Sequence, residues 1–137
     1  MDIKNNGNGM TNNEIIIIAN KLKLPNFHYY MQDEIPKHSS DKECGILNYD
    51  SSKNVGTHHV CWWKNGKENY YFDPFGIVDI PKRLKTYLGK NIICNSFKFQ
   101  DYDETNCSER CLYVLDELNK GKHFVDILFD NINNKTF

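Results

Sequence analysis

A cysteine, two adjacent histidines, an aspartate and a glutamine are the side chains of this sequence whose types and spacing suit acyl transfer. Cys107 stands where an apolar helical pattern begins, directly after the polar residues DETN. A thiol at a helix N-terminus faces the positive end of the macrodipole and unpaired backbone N–H groups, which favour the thiolate. An imidazole beside it would complete a nucleophile and general-base pair. The alternative, a cysteine buried as a small apolar side chain, suits Cys61, Cys94 and Cys111 better.

The stretch GTHHVCWW offers two histidines as the base, and a strand would point them to opposite faces. An Asn-Gly pair at 65–66, between two β-prone segments, is typical of a tight hairpin turn. With that pair as the turn, His58 lies opposite Asp73 and His59 opposite Phe72. Opposed side chains have Cβ atoms about 4.5–5.5 Å apart, so Asp73 can orient the His58 ring. A plain cross-strand pair is the alternative, and a β-bulge would reverse the assignment.

Acyl transfer also needs donors aimed at the developing oxyanion. Gln100, seven residues before Cys107, is a candidate amide donor, and the backbone N–H of Cys107 is another. Zinc is a competing use, since Cys107 and Cys111 lie four residues apart on one helical face and a histidine could join them. Knuckle-type pairs are usually closer together and lie in a loop, and Cys111 falls on the apolar face. We therefore predict neither a metal nor another cofactor.

Size and composition predict one globular domain, with a disordered leader over residues 1–10 and the domain over 11–137. A chain of 137 residues is one domain's length, and a net charge of -1 gives no reason to expect nucleic acid or an anionic membrane as partner. The longest apolar run, IIIIA, is far shorter than the roughly 20 residues of a bilayer span. Five cysteines, an odd number, without an apolar signal segment indicate a reducing intracellular compartment.

The order of predicted elements indicates an α+β fold that places the candidate residues on a hairpin and a helix. A capping box at Thr11 and Glu14 opens a helix that runs to Leu24. Residues 26–42 are predicted to be a loop and 44–49 a short buried strand before the hairpin. The remaining predictions are a helix from Pro81 to Gly89, a strand at 91–97, a polar loop at 100–106, a helix at 107–120 capped by Gly121, and a helix at about 124–132.

The ordered set GTHHV, YYFDPFG, Gln100 and NCSERC resembles the adenovirus maturation protease (adenain) family of cysteine proteases, relatives of which occur in virophages, large DNA viruses and virus-like transposons. In that family G-[TV]-H-W supplies the base, F-[DE]-x-F-G the acid and C-G-x-x-C the nucleophile, while a Gln about seven residues earlier serves the oxyanion hole. The resemblance extends over nearly everything after residue 10. It implies four roles: His58 as general base, Asp73 as orienting acid, Gln100 as oxyanion donor and Cys107 as nucleophile.

The resemblance also implies a fold and an activity. The fold is α+β with a central mixed sheet, a hairpin, and the nucleophile at the N-terminus of a central helix. The activity is cleavage of viral capsid or scaffold precursor proteins near small residues, often after Gly, during particle maturation in the virion or host cell. We expect a monomer without a membrane partner. Adenovirus enzymes are stimulated by a viral peptide and by DNA, and the net charge of -1 does not support a DNA requirement here.

Two alternatives stay open. Structurally related proteases remove ubiquitin-like modifiers after Gly-Gly, although this chain has little spare length for an extended modifier-binding surface. A catalytically silent relative used as a binding or assembly module is the other. Two departures from the family pattern motivate it: His59 replaces the aromatic after the base, and Ser108 replaces the Gly after the nucleophile. In addition, Asn106 stands where Asp is common.

Overall fold

A computed structural model describes residues 10–49, 58–76, 79–96 and 107–134, which form an α+β fold around a mixed five-stranded sheet. The strand order is β1-β2-β3-β4-β5, with parallel outer pairs and an antiparallel β2–β3–β4 centre. The predicted α+β class is thereby confirmed. The elements are α1 (Asn12–Lys21), β1 (Phe27–Met31), a short 3₁₀ helix (Gln32–Glu34), β2 (Lys42–Asn48), β3 (His59–Asn65), β4 (Glu68–Phe72), α2 (Lys82–Leu88), β5 (Ile93–Cys94), α3 (Cys107–Asn119) and α4 (Phe124–Asn134).

Strand β1 lies within the segment 26–42 that the sequence predicts to be a loop, and that prediction is wrong. Phe27–Met31 pair in parallel with β2, so that Phe27 lies opposite Cys44. Four of the five β1 residues are half-buried at the sheet edge, and the sequence FHYYM therefore has no alternation of apolar and polar residues. Its aromatic content was the remaining strand signal.

Strands β3 and β4 form the predicted hairpin, but the predicted register is wrong by two residues. Asn65 pairs with Glu68, and Gly66 becomes the first of two turn residues. Gly66 has a φ of +64°, which suits the first central position of a type II′ turn and leaves Asn65 in the strand. A one-residue slip would turn every side chain to the opposite face, whereas a two-residue slip preserves the faces. His58 and Asp73 thus stay on one side without being directly opposed.

Helices cover both faces of the sheet, so alternate strand residues belong to two separate cores. On one face, α1, α3 and α4 pack over a core that contains Cys61 and Phe72. On the other, α2 packs over a core that contains Trp62 and Tyr71. Gly45 of β2 lies opposite Trp62 of β3. A glycine is required at this position because a Cβ would lie 2.3 Å from Trp62 Cζ2.

The helix ends follow from local signals in the sequence. The predicted capping box of α1 is confirmed: Glu14 N donates to Thr11 Oγ1 at 3.2 Å and Thr11 N to Glu14 Oε1 at 3.0 Å. Helix α1 ends at Lys21 rather than Leu24, because Lys23 adopts a left-handed φ of +58° that a helix cannot continue.

The helices predicted at 81–89, 107–120 and about 124–132 are all present, with ends within two residues of those predicted. Of the strand predicted at 91–97, two residues, Ile93–Cys94, pair with β4. Met10, placed in the predicted leader, packs against the core beside α1; the rest of that leader lies outside the described residues. Across the described ranges, no helix is both long enough and apolar enough to cross a bilayer.

Candidate active site

The open end of the β3–β4 hairpin brings three of the four candidate residues together. His58 immediately precedes β3 and Asp73 immediately follows β4. Tyr49, at the end of β2, donates its backbone N–H to the His58 carbonyl at 2.9 Å and so continues the β2–β3 pairing to the histidine. Helix α3 packs against β3 and begins at Cys107, so the thiol lies beside the end of the hairpin.

The imidazole of His58 lies between a carboxylate and a thiol. Cys107 Sγ is 3.7 Å from His58 Nδ1, and His58 Nε2 is 3.3 Å from Asp73 Oδ1. The Nε2 contact has the distance of an ion pair but lacks the direction of a good hydrogen bond. Each ring nitrogen thus faces a different partner, which is the order of groups that a thiol nucleophile, its base and an orienting acid require.

His58 titrates above its ordinary range. Burial alone would lower its pKa, but the polar contacts with Asp73 and with Cys107 outweigh burial and raise the pKa from 6.5 to about 9. The His58 side chain is 20% exposed and that of Asp73 is 1% exposed, so water screens their attraction only weakly. The ring is therefore positively charged at neutral pH and suited to stabilise a thiolate on Cys107.

Two aromatic rings hold the imidazole in place, and neither was predicted from the sequence. Phe75 stacks on His58 with ring centroids 4.3 Å apart and planes 7° from parallel. Tyr49 packs beside it with a centroid distance of 4.9 Å. Continuing the observed hairpin register past its last pair sets position 75 opposite 58, so the corrected register explains the stacking. The stack also favours the cationic form of the ring.

His59 faces the other side of the sheet and does not share the site. It is 4% exposed, and its Nε2 lies 3.1 Å from the hydroxyl of Tyr29. Tyr29 also donates to Asn12 Oδ1 at 2.8 Å, so this cluster ties β3 through β1 to the start of α1. The expectation that His59 lies opposite Phe72 is wrong: Cys61 pairs with Phe72.

Two of the three cysteines that were expected to pack as small apolar side chains do so. Cys61 and Cys111 are fully buried, and Cys111 Sγ donates to the His59 carbonyl at 3.6 Å. Burial and the neighbouring Cys61 raise the pKa of Cys111 well above its ordinary value, which suits an apolar packing role. Cys94 is only half-buried, contrary to expectation. In the described parts of the chain, no three His, Cys, Asp or Glu side chains are grouped to hold a metal ion.

Two sequence predictions fall on residues whose placement is not described. Gln100, the candidate oxyanion donor, and Asn106 lie outside the described residues. Ser108, which replaces the family's Gly, is 1% exposed, and its hydroxyl lies 3.5 Å from the Glu109 carboxylate. Burial raises the pKa of Glu109.

Comparison with known protein families and curated sequences identifies no relative of this chain. The chain matches no protein-family model, and no curated protein sequence matches it. The resemblance to the adenain family therefore rests on the four ordered motifs and their spacing.

Proposed function

We propose that this protein is a cysteine endopeptidase that uses Cys107 as nucleophile, His58 as general base and acid, and Asp73 as orienting acid. The observation that carries the proposal is the His58 ring, which lies 3.7 Å from the Cys107 thiol and 3.3 Å from the Asp73 carboxylate. The resemblance to the adenain family selects the same three residues from the sequence.

The reaction follows from these groups. The Cys107 thiolate attacks a peptide carbonyl carbon, a C–S bond forms, and the carbonyl oxygen becomes an oxyanion. His58 then gives its proton to the departing amine as the C–N bond breaks. Water attacks the thioester while His58 takes its proton, and the C–S bond breaks to restore the thiolate. The proposed oxyanion donors are the Gln100 amide, which the resemblance implies, and the Cys107 backbone N–H.

The proposed substrates are capsid or scaffold precursors cut near small residues such as Gly during particle maturation in the virion or host cell, as in the family that the motifs resemble. A narrow substrate residue is consistent with the burial around the thiol, because Cys107 is 1% exposed. A small electrophile is therefore a better first probe than a peptide.

The first experiment maps thiol labelling by iodoacetamide at about pH 6, where ordinary thiols with a pKa near 8.5 react slowly. We expect a selective adduct on Cys107, identified by mass spectrometry of the digested protein. Labelling should be lost in His58→Ala and kept in His59→Ala, which changes the same residue type one position away. Equal labelling of several cysteines, or labelling that is indifferent to His58, would contradict the proposal.

A second experiment tests proteolysis and its substrate. Incubation with a co-encoded capsid precursor should give fragments that end at small residues, and Cys107→Ala should give none. A protein that labels selectively on Cys107 but releases only a ubiquitin-like modifier would instead be a deconjugating protease. A protein that neither labels selectively nor cleaves would be a silent relative.

A further inference from the structure

Asn95 lies directly after β5, and its side chain bonds to both backbone polar groups of Asp73. Asn95 Oδ1 accepts a hydrogen bond from Asp73 N at 2.8 Å, and Asn95 Nδ2 donates to Asp73 O at 2.7 Å. The amide is 1% exposed. Because the backbone N–H requires an acceptor and the carbonyl requires a donor, the two bonds also fix which way the amide points.

The fold needs a side chain at this point because the sheet ends there. The β4–β5 ladder has its last pair at Tyr71 and Cys94, and Asp73 lies beyond it while remaining fully buried. Without this amide the buried Asp73 N–H would lose an acceptor and the Asp73 carbonyl would lose a donor, and such losses are costly in a protein interior. The amide of Asn95 stands in for the next rung of the ladder.

Among the described residues, two further bonds to Asp73 come from its own turn. Phe75 N donates to Asp73 Oδ1 and Gly76 N donates to Asp73 O, both at 2.8 Å. These bonds set the shape of the turn but move with it. Asn95 is 22 residues further along the chain, so its bonds anchor that turn to a separate part of the sheet.

We propose that Asn95 is a positioning residue that holds Asp73 where its carboxylate can orient the His58 ring and stabilise the imidazolium. The inference rests on the proposed function, because it assigns Asn95 a task in that catalytic arrangement. The His58–Asp73 contact is already long at 3.3 Å, so a small displacement of the turn would weaken it sharply.

The test is Asn95→Leu, which keeps a similar volume and removes both hydrogen bonds. With a peptide substrate, kcat should fall about 10- to 100-fold while KM changes by less than about twofold, because the acid acts on the chemistry and does not bind the substrate. The alkaline limb of the pH profile should move from about 9 towards 6.5. Within the described ranges, three titratable groups face His58 and are left in place by this variant: Asp73, Cys107 and Tyr49.

The matched control is Asn69→Leu. Asn69 is also a buried amide, and its Nδ2 donates to the backbone carbonyls of Leu88 and Lys90 at 3.0 and 3.1 Å, at the end of α2. This variant should lower stability without moving the alkaline limb. An equal shift in both variants would mean that any loss of a buried amide disturbs the site, and the positioning role of Asn95 would be wrong.

A measurement without catalysis separates this inference from the proposed function. In a Cys107→Ala background, NMR titration of the His58 ring follows the effect of Asp73 alone, and adding Asn95→Leu should lower the titration midpoint. An unchanged midpoint overturns the inference even if the wild-type protein cleaves peptides. If the midpoint falls but the wild-type protein cleaves no peptide, the result supports the positioning role of Asn95 and overturns the protease proposal. If Asn95→Leu does not fold, Asn95→Ser, which retains a hydroxyl, is measured in the same way, with a smaller decrease expected.

Discussion

Two adjacent residues, His58 just before β3 and His59 at its start, lie in opposite environments on the two sides of the sheet. His58 contacts a carboxylate and a thiol and keeps some access to solvent. His59 is buried against Tyr29 and the start of α3, where its carbonyl accepts from the Cys111 thiol. Because strand side chains alternate between faces, one residue type serves a charged cluster at one position and a packed interior at the next.

The same division separates the two cysteines at the start of α3. Cys107 is the first residue of the helix and lies at the end of the hairpin, next to His58. Cys111, one helical turn later, lies over the sheet between Cys61 and the His59 carbonyl. The thiol proposed as nucleophile and a packed thiol thus share a helix face, and they differ in that only Cys107 lies beside the His58 ring.

Replacing each histidine in turn is the strongest test of this comparison. We expect His58→Ala to lower kcat/KM by about a thousandfold or more, because the thiol loses its base. We expect His59→Ala to stay within about tenfold in kcat/KM but to lose about 2 kcal/mol in the free energy of unfolding, because a buried hydrogen-bonded ring is removed. Peptide cleavage and urea unfolding of both variants check the pair. Equal catalytic losses would show that the two sides are not distinct.

The acid should show the next largest effect. Asp73→Asn keeps the shape of the side chain but removes the charge that supports the imidazolium, so kcat/KM should fall about a hundredfold or more. Asp116→Asn is the control, because Asp116 is a buried carboxylate on α3 whose partner is Lys120 at 3.0 Å. Its cleavage rate should equal that of the wild type. A similar loss in both variants would mean that losing any buried carboxylate lowers the cleavage rate, and the role of Asp73 as orienting acid would be wrong.

The pH dependence sharpens the role of the His58 charge. Its pKa is raised to about 9, so the imidazolium is complete below 6.5 and is lost as pH rises through 9. Cleavage should decline about tenfold per pH unit above 9. The same shift corresponds to about 3 kcal/mol of folding free energy that is present below pH 6.5 and absent above 9. Urea unfolding at pH 6 and 9.5 should show this loss in the wild type and a much smaller one in Asp73→Asn.

Sequence periodicity predicted the faces of the hairpin better than its pairs. The turn is one residue later than the Asn-Gly signal indicates, yet His58 and Asp73 kept a common side because the slip is of two residues. Helix starts at Thr11 and Cys107 were predictable, since a capping box and an apolar repeat are local signals.

Features that depend on long-range contacts could not be predicted from local sequence patterns. Strand β1 was missed because its residues are held half-buried by β2, which a local pattern does not reveal. Asn95 was not predicted because its amide bonds to backbone groups 22 residues away. In the sequence, it cannot be told apart from any other polar residue near the end of a predicted strand. Phe75 was within a quoted motif, but its stacking depends on the register that was predicted wrongly.

The smallest predicted effect tests the His59 side by itself. Tyr29→Phe removes the hydroxyl that lies 3.1 Å from His59 Nε2 and 2.8 Å from Asn12 Oδ1, while keeping the ring that packs on the core. The free energy of unfolding should fall by about 1 kcal/mol, because the partly buried contact with His59 and the exposed hydrogen bond to Asn12 are both lost. The rate of Cys107 labelling at about pH 6 should not change, since the hydroxyl lies across the sheet from the charged cluster. A slower labelling rate would show that the two faces of the sheet are coupled through β3. His58 and His59 would then lie on different faces but would not act independently.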